Sequence, residues 1–268
     1  MSLCLTRKKK KKIPVYLFFW RRRRRLTFSL HSNLALLRSA HRSAPRLKSI
    51  AVTGSVNAMT TGSPEELLAG PLTSDTWLPI TPEQAREANN VYYSYCSGKK
   101  EGELAIWDFI KTVKPAFTVT VLLPALIFGP PLQPLRDGVK GLNYSTNVIY
   151  SLINGSNATI PATTFPSFVD VRDLADAHVK ALSTPGAANR RLLVDGKPMT
   201  YTGLVRALAK VPELKGRRLP AESGEDANVT PARFEADADN ELLGIKFHTV
   251  DETMADTARK LLELEAAA

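Results

Sequence analysis

The sequence predicts an α/β fold in which parallel strands lie under helical cover, and three observations predict it. Residues 49–53 (Ser-Ile-Ala-Val-Thr) and 117–123 are short β-branched runs closed by Gly or Pro, as expected of strands buried on both faces. Between them, residues 91–113 spread Tyr95, Lys99, Leu104, Trp107 and Ile110 along one long helical stretch. Strand, helix, strand at this spacing is the unit from which parallel sheets are built.

The remaining elements follow in order. Leu34, Leu37, Ala40, His41 and Ala44 recur at helical spacing over 33–46, and Pro45 ends that helix. A loop rich in Thr, Gly, Ser and Pro runs from Gly54 to about Asn90. After the second strand come Pro124 and Gly129-Pro-Pro131, then a Ser/Asn/Thr-rich patch over 143–164. A strand is expected at 168–171, a helix at 173–182, a strand at 191–194, and helices at 201–209 and 252–264. The last two are separated by an acidic region without periodicity, and the terminal alanines are expected to fray.

The formal net charge is +10, but its distribution changes its meaning. Residues 1–50 hold fifteen Lys or Arg and no acid, leaving 21 basic against 26 acidic residues in the rest. The folded part is therefore mildly acidic, which argues against specific nucleic-acid binding. In the leader, Lys8 to Lys12 and Arg21 to Arg25 flank eight mostly apolar residues. Eight are too few to span a bilayer, which takes about 20, and five arginines do not follow the apolar region of a secretory signal. Residues 1–32 are read as a basic, disordered or non-native start, in preference to a targeting segment or a contact with anionic lipid. Cys4 and Cys96 cannot build a disulfide framework or a metal site, which favours a reducing compartment, the cytoplasm by default.

The chemistry rests on Ser55, at the end of the first strand, and on Tyr95 and Lys99, four apart on the long helix and so on one face. A phenol titrates near ~10, and a neighbouring cation is expected to draw that value down. Tyr95 could then protonate a carbonyl oxygen that Ser55 holds by hydrogen bonding while a cofactor delivers hydride. A Tyr-x-x-x-Lys pair alone occurs by chance in many helices. His178 is expected to be a satisfied interface histidine, Arg172 and Asp173 a polar anchor, and Trp107 core.

Context gives the pair its meaning. Tyr95-Cys-Ser-Gly-Lys99, continuing to Trp107-Asp-Phe109, resembles the active-site helix of the extended short-chain dehydrogenases/reductases, in the branch of dihydroflavonol and cinnamoyl-CoA reductases. Ile50-Ala-Val-Thr-Gly-Ser55, Leu123-Pro-Ala-Leu-Ile-Phe-Gly-Pro130, Phe168-Val-Asp-Val-Arg-Asp173 with Ala177-His178, and Asp75-Thr-Trp77 resemble other segments of that family, in the same order. The resemblance covers about residues 33–265. It implies a partial, doubly wound Rossmann-type parallel sheet that lacks its N-terminal strands, with a smaller C-terminal α/β substrate domain. The catalytic half would span 33–130, with 165–195 contributing, and the substrate-binding region 131–268.

By the same resemblance Ser55, Tyr95 and Lys99 are catalytic. Tyr95, Lys99, Pro124, Ala125, Leu126 and Ile127 line the nicotinamide of NADP, with NAD as the alternative. No metal is implied. The family's opening Gly-x-x-Gly-x-x-Gly turn is not found; Gly138-Val-Lys-Gly141 is the nearest pattern and lacks the third glycine. Without the strands of that half, the strand at 49–53 is expected to be an apolar edge, and cofactor binding to be weak. The expected activity is reversible reduction of an aldehyde or ketone, on a small-molecule carbonyl substrate, with a homodimer among the open oligomeric states. The alternatives are a nucleotide-sugar epimerase or dehydratase, and a non-catalytic remnant that binds a polyanion through its basic leader.

Overall fold

The strand expected at 49–53 forms as β1 (Ser49–Thr53), at the edge of a parallel sheet whose order is β1, β2 (Thr118–Pro124), β5 (Arg191–Val194). The computed structural model describes residues 22–135 and 137–267; the lysine run at 8–12, the apolar stretch after it and Arg21 lie outside them. Strand β2 is flanked on both sides, and its near-continuous apolar run is buried accordingly. Its one interior hydroxyl is satisfied, Thr120 Oγ1 donating to the Ala187 carbonyl at 2.7 Å. Among the described residues strand β1 pairs with β2 alone, and it is only half-buried, ending on exposed Thr53.

Helix α1 (Arg22–Ser43) starts eleven residues before the expected Asn33. The expectation followed apolar periodicity, which begins late, whereas helix propensity begins with the arginines, and no Gly or Pro interrupts the stretch. Leu37 is buried, the Asn33 amide donates to the Gly102 carbonyl at 3.0 Å, and His41 meets Phe109 edge-on at 6.3 Å, so α1 packs along α4 (Val91–Val113). Helix α4 has the expected bounds, because Asn90 caps its first turn and Lys114, in the left-handed region, ends it. The loop before it contains α2 (Pro64–Leu68) and α3 (Pro82–Glu87), both begun by a Ser or Thr cap followed by Pro.

A second sheet joins β3 (Leu126–Phe128) and β4 (Ser167–Asp170) in parallel, with β6 (Lys197–Pro198) antiparallel to β4. Against it lie α5 (Tyr144–Ile153), α7 (Tyr201–Leu208) and α9 (Val250–Ala266), with Ile149, Leu152, Leu204, Leu208, Met254 and Leu261 in a common core. Helix α6 (Val171–Ala181) follows β4, and α8 (Asp237–Leu243) lies in the acidic region read as irregular. Helix α5 lies in the patch read as polar: Asn143 caps it, and Ile149, Leu152 and Ile153 supply one buried face. No helix among the described residues is long and apolar enough to cross a membrane.

Candidate active site

Strand β1 delivers Ser55 to the carboxyl end of the parallel sheet. Thr53 is in register with Leu122, and the Gly54 amide donates to the Leu122 carbonyl at 2.7 Å, so Ser55 and Pro124 leave the sheet at the same edge. A Cβ at Gly54 would lie 2.7 Å from Leu123 Cδ2 and 2.8 Å from Val121 Cγ1. Only glycine lets the chain press this close to β2. Ser55 then caps a short 3-10 turn, its hydroxyl accepting from the Asn57 amide at 3.2 Å.

Helix α4 brings its face to the same edge. The Tyr95 phenol comes to the same place, close enough for the Ser55 hydroxyl to act on its titration. Lys99, one turn further, places its ammonium 5.7 Å from the centre of the Tyr95 ring. The three residues singled out in the sequence are therefore together. One expectation about them is corrected: the Tyr95 phenol is not drawn below its ordinary value but raised, chiefly by burial, with the Ser55 hydrogen bond opposing. Lys99 stands over the ring and not at the phenol oxygen, and its own pKa is lowered by burial while Glu103 opposes. Tyr95 is thus a protonated acid at neutral pH.

The other four residues expected along the nicotinamide, Pro124 to Ile127, divide. Pro124 ends β2 and is buried, whereas Ala125, Leu126 and Ile127 are half-buried beyond it. Leu126 and Ile127 pair with Phe168 and Val169 of β4, and their side chains pack against core clusters. Residues Gly138–Gly141 form a 3-10 turn between β3 and α5 and lack the third glycine of the phosphate loop.

The other sequence candidates have structural surroundings. His178 Nδ1 meets the Leu174 carbonyl at 2.8 Å and Nε2 meets Thr53 Oγ1 at 2.7 Å, tying α6 to β1. Arg172 joins Asp170 of β4 to Asp256 of α9. Trp107 packs at the margin of the core around β2, its indole N–H donating to Glu103 at 3.2 Å. Sequence reasoning missed Asn57 and Tyr92, which hydrogen-bond beside Ser55. Tyr92 stands at i−3 from Tyr95 and stacks near it at 6.5 Å, a spacing that could have drawn attention to it.

No family model matches the chain. Among curated proteins, an uncharacterized oxidoreductase of Schizosaccharomyces pombe is 34% identical over 192 residues, covering 71% of this chain and 56% of that protein. Another from the same organism is 31% identical over 259 residues, covering 88% and 74%. The chain thus spans little more than half the length of the first of these relatives. Among solved structures, that of yeast methylglyoxal/isovaleraldehyde reductase Gre2 complexed with NADPH aligns with a TM-score of 0.76 at 26% identity, covering 90% of this chain and 71% of that one. Likeness of sequence and of backbone therefore agree with what the sheet edge holds, and the chain belongs to the extended short-chain dehydrogenase/reductase family.

Proposed function

We propose that this protein is an NADPH-dependent oxidoreductase that reduces an aldehyde or ketone, and in reverse oxidises a secondary alcohol. The observation that carries the proposal is the gathering of Ser55, Tyr95 and the half-buried Lys99 at the carboxyl end of a parallel sheet. The Gre2 relative, a methylglyoxal/isovaleraldehyde reductase complexed with NADPH, supports a small carbonyl substrate and NADPH over NAD.

Lys99, Tyr95 and the chain from Pro124 to Ile127 would hold the nicotinamide end of the cofactor. They fit that task because Lys99 makes no ion pair among the described residues, and because Ala125 to Ile127 stay half-buried at the edge where Ser55 emerges. When bound, the nicotinamide supplies the hydride. The chain's own groups manage the oxygen. Ser55 donates to the substrate carbonyl and fixes its direction. Tyr95 passes its proton to that oxygen, and Lys99 offsets the charge left on the phenolate. Because burial raises the Tyr95 phenol, the proton is in place for reduction at neutral pH, and alcohol oxidation gains as pH rises towards the phenol's own range.

Carbonyl-dependent loss of NADPH absorbance by the purified chain, with methylglyoxal and with an aromatic aldehyde, is the direct test. Tyr95→Phe is expected to lower turnover by about 100-fold or more while leaving the circular dichroism spectrum unchanged. Unchanged turnover in that variant would remove the mechanism. Cys96 is a free, buried thiol, which fits a reducing compartment such as the cytoplasm, and we place the protein there. A homodimer is the assembly proposed for it, to be checked by its sedimentation.

A further inference from the structure

We infer that Asn57, clamped by Tyr92, is a positioning residue that sets the direction of the Ser55 hydroxyl proton. Three contacts fix the Asn57 amide. Its Nδ2 donates to the Tyr92 phenol oxygen at 2.7 Å and to the Thr60 carbonyl at 3.3 Å, and its Oδ1 faces Ser55 Oγ at 3.4 Å.

The assignment of oxygen and nitrogen on that amide follows from its neighbours. The Thr60 carbonyl can only accept. The Tyr92 hydroxyl has its single proton committed to the Thr61 carbonyl at 2.9 Å, so towards Asn57 it too can only accept. Both acceptors demand the amide N–H2, and a flipped amide would set its oxygen against the Thr60 carbonyl. Oδ1 is therefore held towards Ser55 as an acceptor.

Ser55 has one proton to give. Its oxygen already accepts from the Asn57 backbone N–H, and the neutral Tyr95 phenol is close enough to feel the direction of the serine proton. The acceptor that Asn57 offers draws the serine proton towards itself and away from Tyr95. The contact is long, so it is weak. A substrate carbonyl entering between Ser55 and Tyr95 outcompetes it and accepts a hydrogen bond from each hydroxyl. Asn57 thus holds Ser55 in the resting orientation from which it must turn only once. Tyr92 acts one step further out, and neither residue touches the reacting atoms.

The role in turnover rests on the proposed carbonyl reduction, but the orientation does not, so the test has two parts. In the full chain, with tyrosine carrying an NMR-active isotope at the phenol carbon, the Tyr95 signal is assigned by its disappearance in Tyr95→Phe. At neutral pH, Asn57→Ala is expected to shift that signal in the native background and to leave it unmoved when Ser55 is already Ala, since the effect must pass through Ser55. Tyr92→Phe is expected to shift it in the same direction by a smaller amount. Equal shifts with and without Ser55, or no shift at all, would overturn the inference. In turnover, Asn57→Ala should lower kcat by about fivefold with KM nearly unchanged, the loss of one weak positioning bond. A raised KM at constant kcat would also overturn it. A native chain that reduces no carbonyl sinks the proposed activity instead, and leaves Asn57 to be judged by the coupling experiment.

Discussion

Two polar clusters, one at the sheet edge and one at the join of β4, α6 and α9, are built from similar materials to opposite ends. At the join every charge is engaged. Asp170 accepts from the Arg172 guanidinium at 2.9 and 2.8 Å and from the Thr253 hydroxyl at 2.7 Å, and Arg172 continues to Asp256 at 2.6 Å. Asp173 meets His248 Nδ1 at 2.5 Å and accepts from its backbone N–H at 2.9 Å. Asp170, Asp173 and His248 come close enough to hold a cation, yet the neighbouring Arg172 and Thr253 already occupy the Asp170 oxygens. At the sheet edge, by contrast, Lys99 makes no ion pair among the described residues and the Tyr95 phenol is raised by burial. Buried charge that is matched in place holds β4, α6 and α9 together. Polar groups left with capacity to spare can act on a substrate.

The largest effect should come from breaking the matched cluster. Arg172→Ala leaves Asp170, whose side chain is 0% exposed, without its guanidinium. A loss of about 3–5 kcal/mol is expected in chemical or thermal unfolding. Arg172→Lys should recover only part of it, because a single ammonium cannot reproduce the two-pronged contact. The sign with pH follows from Asp170, whose pKa is lowered: burial opposes, but the Arg172 and Thr253 hydrogen bonds prevail. Its contribution is present above the ordinary carboxylate range and is lost as pH falls through the lower folded value. Lys99→Met should do the reverse, lowering carbonyl turnover by about 100-fold while moving stability by less than about 1 kcal/mol. If Lys99→Met unfolded the protein as readily as Arg172→Ala, the contrast between the clusters would be false.

The two clusters also differ in how far the sequence disclosed them. Ser55, Tyr95 and Lys99 were legible because a strand end and a four-residue helical spacing are local signals, and because the surrounding segments resemble a family. Asn57 and Tyr92 were not, since the amide matters only once the turn after Ser55 brings it against α4, 35 residues away. The anchor was half legible: Arg172 and Asp173 stood out, but Asp256, His248 and Thr253 come from a helix and loop more than 70 residues on. Helix α5 was hidden for another reason. Its outer side carries Ser145, Asn147 and Ser151, so composition suggested a loop, while the buried Thr146, Ile149, Leu152 and Ile153 make the helix. The early start of α1 shows propensity acting where hydrophobic periodicity is silent.

A buried carboxylate that has only one side-chain donor sharpens the comparison by an intermediate amount. Asp195 is 8% exposed and accepts from the Ser167 hydroxyl; burial pushes it up to about 6 against that bond. Raised in the folded state, it favours folding below the ordinary carboxylate range, and the benefit is lost as pH climbs through 6. Unlike the matched Asp170, it should make the native state weaker at neutral pH, with an upper bound of about 3 kcal/mol. Asp195→Asn is expected to be more stable than the native chain at pH 7 by about 1–2 kcal/mol and equal to it near pH 4, in denaturant titrations at the two values. A variant that is less stable at both would show that the Ser167 bond outweighs burial.

The smallest effect is expected at the edge strand itself. Thr53 is exposed, yet its hydroxyl meets His178 Nε2 at 2.7 Å, and His178 Nδ1 faces the Leu174 carbonyl, which can only accept. In the neutral ring Nδ1 therefore carries the proton and Nε2 accepts from Thr53. This is a side-chain tether between α6 and β1, which among the described residues has a strand on one side only. Thr53→Val keeps the β-branched shape and removes the donor, so it should cost about 1 kcal/mol. The loss should appear as faster amide hydrogen exchange along Ser49 to Thr53 before it is visible in global unfolding. If exchange quickened equally in the central strand β2, the tether would be supporting the whole sheet, and the edge would be no more independent than its neighbour.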